Sequence, residues 1–188
     1  MPFEDVDRVA SLLVEAYEQE RSIFLFGNGG SAALASHFAC DLGKGAANGS
    51  KKRFRVMALT DNVPLMTAWA NDSKYEDIFA EQLANFARPG DIAFAISGSG
   101  NSPNVLHALH AAKTIGSTTV GLGGFAGGQM RALCDLCIVV PCDNMQIIED
   151  LHLCVAHSLF TCVRSKISQS ELAKRAMGPR LVSRTGTR

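Results

Sequence analysis

Histidine and carboxylate side chains gather in two parts of the 188-residue sequence and could together hold a divalent metal. His37 and Asp41 stand four residues apart in a helical pattern, which places both on one helix face. The second group consists of Glu149, Asp150, His152 and His157. Imidazole and carboxylate are ligands that zinc prefers, so the two segments predict a metal site. An i,i+4 pair of this kind can also be a plain surface salt link, and that alternative stays open.

Spacing within the second group limits which of its residues can share one metal. Glu149 and His157 are eight residues apart, roughly 12 Å along a straight helix. They can act together only if their side chains lean toward each other or if the ligands come from two subunits. Asp150 and His157 lie on nearly the same helix stripe and form the alternative pair.

A hydroxyl-rich glycine turn separates an apolar run at 92–96 from a helical pattern. It consists of Ser97, Gly98, Ser99, Gly100, Asn101 and Ser102. Ser102 suits the N-cap of the helix and Pro103 suits its first position. A helix N-terminus presents free N–H groups and a positive dipole end, so the turn predicts a site for a phosphorylated small molecule. The alternative is an ordinary turn in which the serines only cap.

A second glycine turn also joins a strand to a helix. Its residues are Gly27, Asn28, Gly29, Gly30 and Ser31. The stretch 27–32 fits the loose G-x-G-x-x-A form of a dinucleotide-binding turn, but the acidic residue expected ~20 positions later is absent. No Gly-Lys-Ser/Thr follows, which argues against a P-loop. The turn therefore predicts neither of these nucleotide sites.

Hydrophobic periodicity predicts five apolar strands separated by helices. The strands are expected at 23–26, 55–59, 92–96, 118–122 and 136–140. The helices are expected at 4–17, 32–42, 63–70, 75–86, 104–115, 130–133 and 145–167. This alternation indicates an α/β fold, a doubly wound five-stranded parallel sheet flanked by helices. Ligands of such sheets bind beyond the carboxyl ends of the strands, where both glycine turns lie.

Length and composition bound the class of protein. The chain suits a single domain over 1–167, followed by a basic segment, 168–188, that we expect to be mobile or docked on a partner. The 18 basic and 18 acidic residues cancel, which argues against nucleic-acid binding. No apolar stretch approaches the ~20 residues of a membrane span. The acidic N-terminus lacks an apolar signal core, so we expect a cytoplasmic protein.

The six cysteines lie mostly in apolar segments, which predicts free, buried thiols. Cys134 and Cys137 form a C-x-x-C, but no second pair stands at zinc-finger spacing. The cysteines therefore give little support to a metal or redox site.

Four stretches of the sequence carry a family resemblance: GNGGSAALASHFACDL from Gly27, AND from Ala70, ISGSGNSPNV from Ile96 and IEDLHLCVAH from Ile148. Together they resemble the SIS (sugar isomerase) family, and most closely its phosphoheptose isomerases. The resemblance covers residues 4–167 and implies the flavodoxin-like SIS fold. It also implies an aldose-ketose isomerase that converts sedoheptulose 7-phosphate to D-glycero-D-manno-heptose 7-phosphate through an enediol. Such proteins are homotetramers with active sites between subunits.

The resemblance also assigns roles to individual positions. Substrate contacts are implied for Asn28, Gly29, Gly30, Asp41, Asn71, Asp72, Ser97, Gly98, Ser99, Ser102 and Glu149, with the serines holding the phosphate. The four zinc-ligand positions are His37, Asp41, Glu149 and His157. Within this scheme we expect Asp41 to act as the catalytic base and His157 as the acid.

Three departures from the family pattern keep other functions open. Asp41 stands where the family has a catalytic glutamate, and Glu149 stands where it has a ligand glutamine. The region before the first strand is also shorter, so the tetramer is not assured. The chain could act on a different sugar phosphate, or be a non-catalytic SIS adaptor that binds a protein partner. The adaptor does not need the four His and carboxylate residues, so their presence favours the enzyme.

Overall fold

The computed structural model describes residues 3–45 and 52–176, which are built around a five-stranded sheet. The strands are β1 Ser22–Gly27, β2 Arg55–Ala58, β3 Ile92–Ser97, β4 Thr118–Gly124 and β5 Leu136–Val140. All neighbours pair in parallel, in the order β2-β1-β3-β4-β5. The direction in which strands are added to the sheet therefore reverses between β1 and β3. A crevice opens at the carboxyl ends of these two strands. The predicted doubly wound sheet is confirmed.

Helices cover both faces of the sheet. They are α1 Phe3–Gln19, α2 Gly30–Cys40, α3 Val63–Asp72, α4 Ala80–Phe86, α5 Pro103–Ile115, α6 Gly128–Leu133 and α7 Met145–Ala176. Helices α1, α2 and α7 pack on one face, and α4, α5 and α6 pack on the other. Among the helices of the described residues, none has the length and apolar character needed to cross a bilayer.

Strand β3 shows how the sequence builds both layers. Ile92, Phe94 and Ile96 belong to the core beneath α1, α2 and α7. Ala93 and Ala95 alternate with them and belong to the core beneath α5. Because successive strand residues point to opposite faces, a strand buried on both sides is a continuous apolar run. The small alanines leave room for α5 to pack close to the sheet.

Two predicted helices differ clearly from those observed, and the bounds of the other five agree within two residues. The helix expected at 75–86 begins with a separate 3₁₀ turn, Tyr75–Asp77, and α4 starts only at Ala80. The buried Asp77 carboxylate accepts a hydrogen bond from Ser73 Oγ and lies 3.0 Å from His107 Nδ1, and these contacts hold the tighter turn.

The last helix is longer than predicted. It runs past the expected end at Ile167 to Ala176, because residues 168–176 contain good helix formers and neither glycine nor proline. The rest of the expected basic segment, 177–188, lies outside the described residues. The proposed division of the chain at 167 stays a prediction.

The cysteine prediction is half right. All six thiols are free, as expected. Burial is only partial: Cys40 and Cys154 are exposed, and the other four thiols are half-buried. Both exposed residues lie on helices, on turns that face away from the sheet, where an apolar sequence context does not require burial.

Helix α7 separates two histidines that the sequence places together. Ile148, His152 and Leu159 lie on its buried stripe, whereas His157 falls outside that stripe. His152 is only 1% exposed, and neither ring nitrogen has a well-aligned hydrogen-bond partner among the described residues. His152 is therefore a core residue.

Burial of His152 makes stability depend on pH. Burial lowers the pKa of His152, and the Gly123 main chain and the Glu149 carboxylate offset that effect only in part. An unfolded chain titrates histidine near pH 6.5. Below that pH the unfolded state takes up a proton that the folded state resists, so stability falls.

We expect His152→Leu to weaken this pH dependence. The free energy of unfolding, measured in urea, should be lower at about pH 5.5 than at about pH 7.5. This decrease should be smaller in the variant than in the wild type by roughly 1 kcal/mol. His110→Gln, at an exposed position of α5, should keep the wild-type dependence. Equal pH dependence in the wild type and His152→Leu would contradict this account.

Candidate active site

Two histidines and an aspartate from α2 and α7 meet at the protein surface. Nε2 of His37 lies 2.9 Å from Nε2 of His157, with the two rings packed edge-on. Oδ2 of Asp41 lies 3.4 Å from the His37 nitrogen and 3.8 Å from the His157 nitrogen. The side chains of His37 and His157 are 47% and 51% exposed. The group is therefore compact and open to a ligand from solvent.

The packing of α2 on α7 brings these residues together. Phe38 and Ala156 are buried in the same core, so their neighbours His37 and His157 emerge where the two helices meet. Asp41 begins a π-helical turn that extends α2, and its N–H donates to the carbonyls of His37 and Phe38. Such turns are frequent at functional sites because they redirect side chains.

The donor set of this group suits a divalent metal. One donor atom from each of His37, Asp41 and His157 lies within 4.8 Å of the others. Two imidazole nitrogens and one carboxylate oxygen are the ligands of many catalytic zinc sites, in which a fourth position is left for water or substrate. The three residues therefore fit zinc by ligand type and by proximity.

Glu149 lies elsewhere along α7. Its carboxylate atoms stand 2.7 to 2.9 Å from the point where a Cβ on Gly30 would be. The structure thus brings together three of the four predicted zinc ligands and places Glu149 at the first glycine turn. The alternative ligand, Asp150, is exposed and is not part of the group of three.

The serine turn forms a hydroxyl-lined cradle between β3 and α5. Ser97 Oγ lies 3.3 Å from Ser102 Oγ and accepts a hydrogen bond from the N–H of Gly100. Ser99 Oγ accepts one from the N–H of Asn101. Ser102 occupies the N-cap position, but its hydroxyl does not cap the helix, contrary to the sequence-based expectation. The hydroxyl faces Ser97 and the turn instead, where it can bind a ligand.

Main-chain contacts fix the shape of this turn. Gly100 has a φ of 66°, and a Cβ there would lie 2.1 Å from the Gly127 carbonyl oxygen. The carbonyl of Gly100 accepts the N–H of Met130, and the side chain of Asn101 accepts the N–H of Gln129. The cradle is therefore held open by the loop that follows β4, without help from a ligand.

The first glycine turn is tied to the start of α5. Asn28 and Asn104 exchange two amide hydrogen bonds of 2.8 Å each, and Tyr75 O–H donates to Asn28 Oδ1. Gly27 passes so close to β3 that a Cβ would lie 2.5 Å from the carbonyl oxygen of Ile96. These contacts hold the two predicted substrate-binding turns side by side.

Asn104 and Tyr75 are site-supporting residues that the sequence analysis missed. Asn104 is 1% exposed and stands four residues before Ala108 on the buried stripe of α5. A polar residue on such a stripe needs a partner, and this signal could have identified it. Tyr75 is exposed and gave no comparable signal.

The two remaining predicted contacts lie at the end of α3. The side-chain amide of Asn71 donates to Asp72 Oδ1, and both residues are exposed. They are thus available at the surface, on a helix that has no buried residue of its own.

Helix α7 runs past all three parts of the site. Met145 lies against Gly98 of the serine turn, Glu149 lies beside Gly30, and His157 meets His37. Met145 and His157 are twelve residues apart, roughly 18 Å along the axis. The histidine group and the serine cradle of one chain therefore lie near opposite ends of this stretch of α7, with Glu149 between them.

Comparison with known proteins shows the family. The model of the SIS domain matches residues 3–124. A phosphoheptose isomerase from Aliarcobacter butzleri is 36% identical over 165 residues, which cover 88% of this chain and 87% of that protein. The chain belongs to the SIS family, in its phosphoheptose isomerase branch. A second phosphoheptose isomerase, from Helicobacter pylori strain P12, is 39% identical over 152 residues, 81% of this chain and 79% of its own.

A solved structure agrees with this membership of the phosphoheptose isomerase branch. The phosphoheptose isomerase from Neisseria gonorrhoeae superposes with a TM-score of 0.80 at 32% sequence identity, over 86% of each chain. The phosphoheptose isomerase from Francisella tularensis gives a TM-score of 0.78 at 28% identity. The sequence relatives and the solved structures therefore indicate the same family.

We expect Asn28 and Asn104 to be energetically coupled, because each amide loses its partner when the other is truncated. Asn28→Ala and Asn104→Ala should each lower the free energy of unfolding, and a double-mutant cycle in urea should give a coupling energy of about 1 to 2 kcal/mol. Asn71→Ala combined with Asn104→Ala is the control and should be additive. Additive effects for Asn28 and Asn104 would contradict the observed pairing.

Proposed function

We propose that this member of the branch is an aldose-ketose isomerase that converts sedoheptulose 7-phosphate to D-glycero-D-manno-heptose 7-phosphate through an enediol. The juxtaposition of His37, Asp41 and His157 carries the proposal, because it supplies an acid and a base within one small group. The phosphoheptose isomerases to which the chain is similar supply the substrate class, a phosphorylated seven-carbon sugar.

The reaction moves a carbonyl from C2 to C1 and requires four proton transfers, two at carbon and two at oxygen. The Asp41 carboxylate takes a proton from C1 while His157 donates one to the oxygen on C2, which gives the enediol. The same groups then return a proton to C2 and remove one from the oxygen on C1, which leaves the aldose. A distance of 3.8 Å between Asp41 Oδ2 and His157 Nε2 suits groups that serve adjacent atoms.

The serine turn supports the binding half of the proposal. The hydroxyls of Ser97, Ser99 and Ser102 and the amino end of α5 suit a phosphate dianion. Asn28, Gly29 and Gly30 line the neighbouring turn and suit the sugar hydroxyls. Binding of the distant phosphate contributes to catalysis because it positions the reacting carbons.

We assign zinc to the histidine group as part of the same proposal. His37, Asp41 and His157 would hold it, and Glu149 is the expected fourth ligand. When bound, zinc polarises a carbonyl oxygen and stabilises the negative charge that develops there. Asp41 and His157 would then be ligands as well as the base and the acid, and coordination would oppose both proton-transfer roles.

A homo-oligomer, with a tetramer as the expected state, accounts for features that one chain leaves unexplained. In helix α3, Met66 and Trp69 are half-buried against the core, whereas Val63 is 59% exposed and no residue is fully buried. Glu149 and His157 are separated by roughly 12 Å of helix and reach different parts of α2. A second copy that covers α3 and adds ligands would complete the site. The cytoplasmic location stays a prediction.

Replacement of the base gives the central test of the reaction. Asp41→Asn should lower turnover of sedoheptulose 7-phosphate by about 10²- to 10⁴-fold while phosphate binding is retained. The assay runs in deuterated water, and NMR follows the aldose and the deuterium at its C2. Asp7→Asn, on the exposed face of α1, is the control. Full activity in Asp41→Asn would remove this residue from the mechanism.

Metal removal tests the zinc assignment separately. Dialysis against a chelator should abolish turnover, and zinc should restore it. Elemental analysis should find one zinc per chain in the wild type and in the exposed-surface control His110→Ala, and far less in His37→Ala. Full activity in a protein shown to be metal-free would refute the zinc assignment and leave the proton transfers to be tested alone.

Sedimentation equilibrium tests the assembly. The wild type should have four times the 20.1 kDa mass of the chain. Val63→Asp should lower both the mass and the turnover, because it places a charge on the exposed apolar face of α3. Val63→Ala should keep both. An active monomer would contradict active sites shared between subunits.

A further inference from the structure

A second concave site lies at the edge of the sheet opposite the glycine turns. Arg21 precedes β1, Arg55 begins β2 and Arg88 lies between α4 and β3, so each stands at the amino end of one of three adjacent strands. The three side chains line a cavity of about 230 Å³. Strand β1 separates this cavity from the first glycine turn by six residues, or roughly 20 Å.

No carboxylate neutralises the three guanidinium groups. Within 3–45 and 52–176, none of Arg21, Arg55 and Arg88 forms an ion pair. Arg21 donates to the carbonyl of Pro89, and Arg55 donates from Nε to Ser22 Oγ at 3.3 Å. Both acceptors are uncharged, and with Glu20 and Asp91 also in the lining the cavity carries a formal charge of +1.

The two acids that line the cavity are directed to other partners. Asp91 is 5% exposed, and its two oxygens accept the main-chain N–H groups of Ser22 and Arg88 at 2.8 and 2.9 Å. Glu20 lies 3.5 Å from Lys52 Nζ. Asp91 therefore fixes the backbone on which two of the arginine side chains are mounted, and leaves their charges unpaired.

Three like charges around one cavity repel each other unless an anion joins them. The carboxyl ends of α1 and α4 face this edge, and their dipoles attract positive charge, but that effect is small at an exposed helix end. A phosphate group would remove the repulsion. Each guanidinium presents a planar fork of N–H donors that matches the oxygens of a phosphate.

We propose that this arginine cavity, lined by Arg21, Arg55 and Arg88, binds the phosphate group of a small ligand at a site distinct from the serine turn. The proposal is independent of the isomerase reaction. The volume of the arginine cavity admits a phosphate with a small organic substituent. The N–H groups of its arginines recognise the dianion.

Isothermal titration of the full-length protein with inorganic phosphate, at low ionic strength, tests the proposal. The wild type should bind two phosphates per chain, one in the serine turn and one in the arginine cavity. Arg55→Met combined with Arg88→Met should weaken one of them by at least about tenfold for each arginine lost and should leave turnover unchanged. Arg164→Met, at an exposed position of α7, is the matched control and should bind like the wild type.

Ser99→Ala combined with Ser102→Ala separates the two sites. This variant should lose the other phosphate and keep the one that depends on the arginines. Glycerol 1-phosphate, titrated in parallel, shows whether the cavity takes an organic phosphate or only the free ion. A phosphate affinity that the two arginine changes leave untouched overturns the proposal, as does a single phosphate that disappears with the serines.

Discussion

The packing of α2 against α7 is the constraint on which the candidate site depends. Leu34 and Phe38 of α2 share one core with Val155 and Leu159 of α7. Complete burial of four such side chains contributes roughly 6 to 12 kcal/mol. Two positive charges as close as the Nε2 atoms of His37 and His157, 2.9 Å apart, would repel each other. The core holds the two rings together against such repulsion, and a metal ion between the two nitrogens would be attracted to both.

The binding half of the site is shaped by main-chain contacts together with side-chain hydrogen bonds. The serine turn is clamped where Gly100 meets Gly127, a distance at which no other residue fits. Because the loop after β4 fixes the shape of the turn, the hydroxyls of Ser97 and Ser102 are spared from structural hydrogen bonds to the helix. A site that is shaped before the ligand arrives loses less entropy on binding.

Local patterns in the sequence were enough for the sheet and for most helices. Strand β5 was predicted with its exact bounds, since apolar runs between turn residues depend only on neighbouring positions. The spacing of apolar residues along α7 could also have shown that His152 is buried and His157 is exposed. The pairing of Asn28 with Asn104 could not be predicted, because it joins residues 76 positions apart through the packing of two strands. The break before α4 depends in the same way on a distant partner, His107.

Two of the three departures that the resemblance implies act on charge and reach in opposite directions. Asp41 stands where the resemblance implies a glutamate, and this shorter side chain lies 3.4 and 3.8 Å from the histidine nitrogens. Glu149 stands where the resemblance implies a glutamine, and it adds a negative charge. That charge lies beside Gly30, the first residue of α2, where the positive end of the helix dipole stabilises a carboxylate by about 0.3 to 1 kcal/mol. The added charge thus has a structural counterpart in this fold, at the first glycine turn and apart from the histidine group.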